Sequence, residues 1–221
     1  PHLYRAIEEA NNLGPDAFRT NGYDLPQELL NDPDFIRWGA PGQITAVDLP
    51  ESWGQQKVEE LSQNFRKRYL VSSSEIVGVR IGTVTRAYPL RLLQWHEVVN
   101  DVLDGVPICV VYHPLSETIC VFQRTPEDGS DSPPLFGNSG LVLDCCLLLN
   151  DRKGSGMRDQ ESLWSPVDGI ALTGPRQGES LNFLPFTLTT WSNWLKESPT
   201  TDVMAMLESH RVYYKKEPCY P

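Results

Sequence analysis

The chain lacks several patterns by which a class of protein is usually recognised. No apolar run approaches the 18 or so residues that cross a bilayer, so the sequence predicts no membrane span. No Cys-x-x-Cys spacing and no Gly-x-Ser-x-Gly elbow occur, which leaves a thioredoxin motif and a serine-hydrolase elbow without support. Gly78 and Gly82 have the wrong spacing for a dinucleotide fingerprint, so no nucleotide cofactor is expected.

Basic residues are in the minority, with 19 Lys and Arg against 29 Asp and Glu and a net charge of −10. Such a chain is poorly suited to nucleic-acid phosphates or anionic membrane surfaces, so the expected partner is a metal ion or a small molecule. With 221 residues, 40% of them hydrophobic, the chain is long and apolar enough to bury a globular core.

The beginning of the chain and its cysteines leave the compartment open. The sequence starts at Pro1 without a signal peptide, and we interpret it as processed or trimmed, so that export with a removed signal and a cytoplasmic location are both compatible. An odd number of cysteines leaves at least one thiol free if every disulfide is internal. The five are Cys109, Cys120, Cys145, Cys146 and Cys219.

Helical and alternating patterns divide the chain near residue 70. Leu3–Asn11, Pro26–Asn31 and Glu59–Arg68 have helical periodicity, and residues 1–70 are predicted to form a helical arm packed on the main domain. Alternating patterns typical of strands dominate residues 71–221. The sequence therefore predicts an α+β fold, a β-rich antiparallel sheet or partly closed barrel of six to nine strands with a helical N-terminal arm.

Turn chemistry predicts where the strands end. Gly82-Thr83 is typical of a two-residue hairpin, and Pro114–Glu117 favours a four-residue loop built on a type I turn. Leu135–Phe136 and Leu141–Leu149 are predicted as separate strands, with the turn residues Gly137–Gly140 between them.

The most informative pattern is an Asp-Gly hairpin flanked by two of the four histidines. Asp104-Gly105 between apolar, β-branched runs is a strong hairpin signal, and a two-residue loop pairs Leu103 with Val106. The same register, continued along both strands, places His96 opposite His113. Directly opposed Cβ atoms lie about 4.5–5.5 Å apart, so the two imidazoles could share one metal ion or one proton.

A metal site needs further ligands from outside this pair. Imidazole and thiolate favour copper or zinc, but Cys109 lies about 13 Å from His113 along a regular strand at ~3.3 Å per residue. The options for a third ligand are Glu97 after a bulge, Asp101, and Cys145 or its neighbour Cys146.

Three other interpretations stay open. The simplest is a buried cross-strand histidine pair without an ion. The second is a hydrolase or lyase in which His96 works with Glu97 or Asp101 as acid and base. The third is a non-catalytic carbohydrate- or peptide-binding module with an aromatic groove. The tryptophans available for that groove are Trp38, Trp53, Trp95, Trp164, Trp191 and Trp194. Ser116, close to His113, is typical of a turn residue rather than a nucleophile.

A set of short motifs occurs in a recognisable order and spacing. They are Arg86-Ala87-Tyr88-Pro89-Leu90, Trp95-His96-Glu97-Val98-Val99-Asn100-Asp101, Tyr112-His113-Pro114-Leu115, Phe136-Gly137-Asn138-Ser139-Gly140-Leu141, Ser162-Leu163-Trp164-Ser165 and Leu188-Thr189-Thr190-Trp191. Over about residues 70–195 the chain resembles the family catalogued as domain of unknown function 3179. The resemblance implies a bacterial or archaeal protein that is often exported, and it implies no settled biochemical role.

The resemblance also bears on position 113. Members of the family usually carry Cys there, often followed by Pro-Leu and then Cys, Thr or Ser, whereas this chain has His113 and Ser116. An exchange of Cys for His is compatible with a metal site and argues against an obligatory nucleophile or disulfide at 113.

Our leading hypothesis is transition-metal binding, copper before zinc, at a site drawn from His96, His113, Glu97 and Cys145. Because ligation needs neutral imidazoles, affinity is expected to fall below about pH 6. Whether the protein is an enzyme stays open.

Overall fold

A computed structural model describes residues 19–63, 69–126, 132–154, 157–212 and 214. The chain divides into two compact units, each with a hydrophobic core of its own. The first unit comprises the described parts of Pro1–Ala46, His113–Thr118 and Arg124–Asn182. The second comprises the described parts of Val47–Tyr112, Ile119–Gln123 and Phe183–Pro221.

Strands dominate the described residues, and the helices among them are short. The strands are β1 (Ile36–Arg37), β2 (Val47–Asp48), β3 (Ser52–Trp53), β4 (Glu75–Ile81), β5 (Val84–Pro89), β6 (Val98–Leu103), β7 (Val106–His113), β8 (Thr118–Gln123), β9 (Leu135–Leu143), β10 (Cys146–Arg152), β11 (Leu163–Ser165), β12 (Ile170–Thr173), β13 (Asn182–Phe183), β14 (Phe186–Thr190) and β15 (Asp202–Met204). The α-helices are α1 (Gln27–Leu30), α2 (Gln55–Gln63), α3 (Leu90–His96) and α4 (Trp191–Glu197), and 3-10 turns lie at Arg158–Gln160 and Glu208–His210. No helix of the described residues is long and apolar enough to span a membrane.

The first unit contains an antiparallel sheet with the strand order β1-β9-β10-β11-β12. Its centre is the hairpin of β9 and β10, in which Leu143 pairs with Cys146 around the two-residue loop Asp144-Cys145. Both loop residues have positive φ, 50° and 60°, as the primed hairpin turns require. This conformation is unusual for cysteine and presents Cys145 to solvent.

The polar run Gly137–Gly140 lies inside β9, so the prediction that it forms a turn is wrong. Asn138 accepts a hydrogen bond from the Gly140 amide at 2.7 Å, and the Ser139 hydroxyl donates to the Leu148 carbonyl at 2.6 Å. The register shifts between Leu147 and Leu149, which identifies a β-bulge. Side chains typical of turns therefore serve here to satisfy the backbone of a bulged strand.

The second unit contains two further sheets. One has the order β14-β4-β5-β15-β3, with β15 parallel to β5. The other has the order β13-β8-β7-β6-β2, with β2 parallel to β6, and its strands belong to this unit apart from the end residues His113, Thr118 and Asn182. The core of the second unit is formed by buried residues of both sheets and of α3. Fully buried members include Ile76, Val79, Tyr88, Leu93, Val99, Ile108 and Val203.

The predicted Asp104-Gly105 hairpin is confirmed, and its ladder runs from Leu103↔Val106 to Val98↔Val111. The prediction that His96 continues this ladder opposite His113 is wrong. His96 is the last residue of α3, and Glu97 ends the helix with a φ of 57°. Leu92, Leu93 and His96 form one buried helical face, because residues three and four apart lie on the same side of a helix.

The β-rich fold is confirmed, but its details differ from the prediction. None of the three sheets closes into a barrel within the described residues, and two strand pairs are parallel. The helical N-terminal arm is not supported, since β1, β2 and β3 each join a different sheet. The predicted helix Leu3–Asn11 lies outside the described residues. Pairings of two residues leave no periodic signal in a sequence, so this segment could not be recognised as part of the sheets.

Candidate functional site

His113 stands at the end of β7, immediately before the loop to β8. The predicted four-residue loop Pro114–Glu117 is confirmed, because β8 begins at Thr118. Within the loop, Ser116 Oγ lies 3.0 Å from His113 Nδ1 and 2.9 Å from Thr118 Oγ1. The imidazole thus contacts the Ser116 hydroxyl, which in turn contacts the Thr118 hydroxyl.

The line of polar atoms continues to a thiol. Thr118 Oγ1 lies 3.7 Å from Cys146 Sγ, within hydrogen-bond reach for sulfur. The backbone of the preceding residue, Cys145, also bonds the imidazole of His113. We call His113, Ser116, Thr118, Cys145 and Cys146 the His113 cluster. All five residues belong to the first unit.

The imidazole of the His113 cluster is held in its neutral form. Burial lowers the pKa of His113, and the hydrogen bond to the Cys145 backbone raises it in part. A neutral imidazole keeps a lone pair on one ring nitrogen, and this is the form of histidine that binds a metal ion or accepts a proton.

The thiols of the cluster are free and differ in exposure. Cys145 is exposed at the tip of the hairpin, whereas Cys146 is half-buried at the start of β10. Cys109 and Cys120 are buried. Only the pair at the hairpin therefore combines a free thiol with access from solvent among the described cysteines.

His96 and Glu97 lie in the other unit and do not belong to the His113 cluster. His96 is buried, with Nε2 placed 2.7 Å from the phenolic oxygen of Tyr214. Burial raises the pKa of Tyr214 to about 12, so its phenol stays protonated. The backbone of Glu97 joins α3 to the hairpin, since its amide donates to the Leu93 carbonyl and its carbonyl accepts from the Tyr112 amide. Of the four predicted ligands, His113 and Cys145 lie in one cluster, where the contact with the imidazole is made by the Cys145 backbone and the thiol side chain is exposed.

Asp101 has a structural role, because it bonds to two other residues of the sequence motifs, Arg86 and Tyr88. Its Oδ2 accepts hydrogen bonds from Arg86 and from the Tyr88 hydroxyl, both at 2.7 Å. Arg86 also binds both carboxylate oxygens of Asp202, at 2.8 and 2.9 Å. A guanidinium shared between two carboxylates ties strands β5, β6 and β15 together. These hydrogen bonds hold the Asp101 carboxylate within the second unit, so it does not belong to the His113 cluster.

Two further observations concern the metal-site interpretation and the aromatic-groove interpretation. No group of three or more His, Cys, Asp and Glu is placed to hold a metal ion in the part of the chain that the structure describes. Every tryptophan is at least half-buried, and Trp164, Trp191 and Trp194 are buried. The tryptophans thus form no exposed aromatic groove of the kind that a carbohydrate-binding module needs.

The comparison with family models identifies the class of protein. The model described as "Protein of unknown function (DUF3179)" matches residues 44–220, and the chain belongs to this family. The match extends beyond residues 70–195 on both sides and includes both His96 and the His113 cluster. Comparisons with curated proteins and with solved structures give no match.

Proposed function

We propose that the His113 cluster binds one soft transition-metal ion, copper(I) in preference to zinc. The ligands are the imidazole of His113 and the thiolates of Cys145 and Cys146. The observation that carries the proposal is the continuous line of polar atoms from His113 Nδ1 through Ser116 and Thr118 to Cys146 Sγ. It connects an imidazole to a free thiol through two hydroxyl groups.

The chemistry of the donors favours copper. Thiolates are soft ligands that select copper(I), and imidazole also suits it. A structural zinc site takes four protein ligands in a closed tetrahedron, whereas the His113 cluster offers three side chains of the types that zinc binds, one imidazole and two thiols. Copper(I) accepts two or three ligands. The described residues contain no preformed group of three, so His113, Cys145 and Cys146 supply the ligands by turning their side chains toward the ion as it binds.

Ser116 supports this assignment as a partner of the ring rather than as a ligand. Metal-binding histidines usually engage their other ring nitrogen with a fixed polar group, which sets the tautomer and the ring orientation. Ser116 Oγ has this relation to His113 Nδ1 and is itself held by Thr118. The ion then takes the place of the hydrogen bond between the ring and the Cys145 backbone. Burial of His113, which favours the neutral ring, acts in the same direction.

The proposal is tested by titrating reduced, metal-free protein with copper(I) under anaerobic conditions, in competition with a chromophoric copper(I) chelator. We expect one ion per chain and weaker binding of zinc. His113→Gln, Cys145→Ser and Cys146→Ser should each weaken copper(I) binding at least about tenfold, since each removes one ligand.

Two matched variants control for the loss of an imidazole or a thiol elsewhere. His210→Gln removes a half-buried imidazole of the second unit, and Cys109→Ala removes a buried thiol of the same unit. Both should bind copper(I) as the unmodified protein does. Absence of stoichiometric copper, or equal affinity in the cluster variants and the controls, would contradict the proposal.

A further inference from the structure

A cavity of about 580 Å³ lies within the second unit, beside the first turn of α3 and the start of β4. Its volume falls in the range of about 300–1,000 Å³ that is typical of small-molecule sites. The proposed copper site makes no use of it. The residues that line it are Tyr69, Leu70, Ser74, Glu75, Pro89, Leu90, Arg91, Leu92, Gln94, Met206 and Tyr214.

Two tyrosines give the cavity a fixed wall. The hydroxyl of Tyr69 donates to the Met204 carbonyl, and the hydroxyl of Tyr214 is bonded to His96. Both tyrosine side chains are buried, so their rings are held in place before any ligand arrives. Preformed walls reduce the entropy that binding costs. His96, which is not a ligand of the proposed copper site, thus helps to hold the Tyr214 ring at the cavity.

The cavity carries one positive and one negative side chain. They are Arg91 and Glu75, both exposed. Arg91 Nε donates to the Tyr214 carbonyl at 2.6 Å, which fixes the guanidinium at the cavity. The same guanidinium lowers the pKa of Tyr69 against the larger effect of burial, which places the positive charge near that phenol. Among the described residues, neither Arg91 nor Glu75 forms an ion pair.

We infer that this cavity binds a small zwitterion with an apolar side chain, the chemistry of a free apolar α-amino acid. Arg91 binds the carboxylate, because a guanidinium presents paired donors to two oxygens. Glu75 binds the ammonium group. The apolar side chain packs against Leu70, Leu90 and Met206, which together with the two tyrosine rings provide the apolar surface that such sites use.

Calorimetric titration of the full chain with L-leucine tests the inference. N-acetyl-L-leucine, which lacks the cation, and L-leucinamide, which lacks the carboxylate, serve as matched probes. We expect one leucine per chain and at least about tenfold weaker binding of each analogue, since each loses one charge-assisted interaction. Arg91→Gln should abolish the preference for leucine over leucinamide, and Glu75→Gln the preference for leucine over N-acetyl-leucine.

The chain offers matched controls in the same unit. Lys57→Gln and Glu59→Gln each remove one exposed charge from α2, away from the cavity, and should leave leucine binding unchanged. All four substituted side chains are exposed, and unchanged thermal unfolding midpoints verify that the variants fold. Absence of leucine binding overturns the inference, as does equal binding of the three probes or unchanged affinity in Arg91→Gln. Binding of N-acetyl-leucine alone would assign the cavity to monocarboxylates and would equally overturn it.

Discussion

The phenolic oxygen of Tyr214 lies 2.7 Å from His96 Nε2, although the two residues are 118 positions apart in the sequence. This hydrogen bond joins the end of α3 to the last described residue of the chain. Both partners are buried, and the net contribution of a buried hydrogen bond is about 0.5–1.5 kcal/mol, more when a polar group is left without its partner.

Tyr214→Phe removes this bond and keeps the ring. We expect the free energy of unfolding to fall by about 1–2 kcal/mol in urea unfolding at pH 7. A cycle with His96→Gln and the double variant isolates the pair, and the two losses should be non-additive by at least about 0.5 kcal/mol. Fully additive effects would show that the two side chains are not coupled.

A buried carboxyl group predicts how stability depends on pH. Asp151 is fully buried on β10, and its Oδ1 accepts the Ser162 amide at 2.5 Å. Burial raises the pKa of Asp151 to about 6 from an ordinary 3.8, and the bond from Ser162 opposes this in part. The unfolded state therefore releases the proton at lower pH than the folded state. Protonated Asp151 therefore stabilises the folded state. This contribution to the free energy of unfolding is complete below pH 3.8 and is lost as pH rises through 6.

Asp151→Asn removes this titration and keeps an acceptor oxygen for Ser162. Between pH 4 and pH 7, the unmodified protein should lose up to about 3 kcal/mol of stability relative to the variant. Urea unfolding at both pH values measures the difference. Asp159→Asn, an exposed carboxylate of the same unit, should track the unmodified protein at both values. A stability difference between the unmodified protein and Asp151→Asn that does not change with pH would contradict the assignment.

The exposure of the thiols predicts their order of reaction. Cys145 is exposed and Cys146 half-buried, whereas Cys109 and Cys120 are buried. In a Cys219→Ser background, which removes the thiol outside the described residues, one thiol should react rapidly with a disulfide reagent in the native state. Cys145→Ser should eliminate this rapid phase, since access of the reagent controls the rate.

Cys120→Ala is the matched control and should leave the rapid phase intact. A fast phase that survives Cys145→Ser would show that the hairpin loop is not the accessible site, and two fast thiols would contradict the predicted order of reaction. Once the expected order is established, protection of the fast thiol by copper(I) gives a second readout of metal binding.

The parts of the fold that the sequence could predict are those determined by local turn residues. Asp104-Gly105 and Pro114–Glu117 act over a few residues, and the structure confirms both turns. By contrast, the pairing of β15 with β5 depends on contact between residues more than one hundred positions apart. The turn predicted at Gly137–Gly140 is wrong because the residue types of this run suit turns and bulges alike, and only pairing with the partner strand distinguishes the two.

The site was predictable only in part, for a similar reason. His113 and Cys145 follow from residue chemistry, and the structure places them in one cluster. The prediction for His96 is wrong because α3 extends to residue 96, so its side chain follows the period of a helix and not that of a strand. The line through Ser116 and Thr118 to Cys146 requires a contact between Thr118 and Cys146, which are 28 positions apart, and no local pattern encodes it.

X-ray absorption of the copper(I)-loaded protein tests the central claim most directly, because it reports the atoms bound to the ion. The account predicts a first shell of one imidazole nitrogen and two sulfurs. In Cys145→Ser and Cys146→Ser the shell should lose one sulfur each, and in His113→Gln it should lose the imidazole. A first shell without sulfur, or one that is the same in all three variants, would contradict the account.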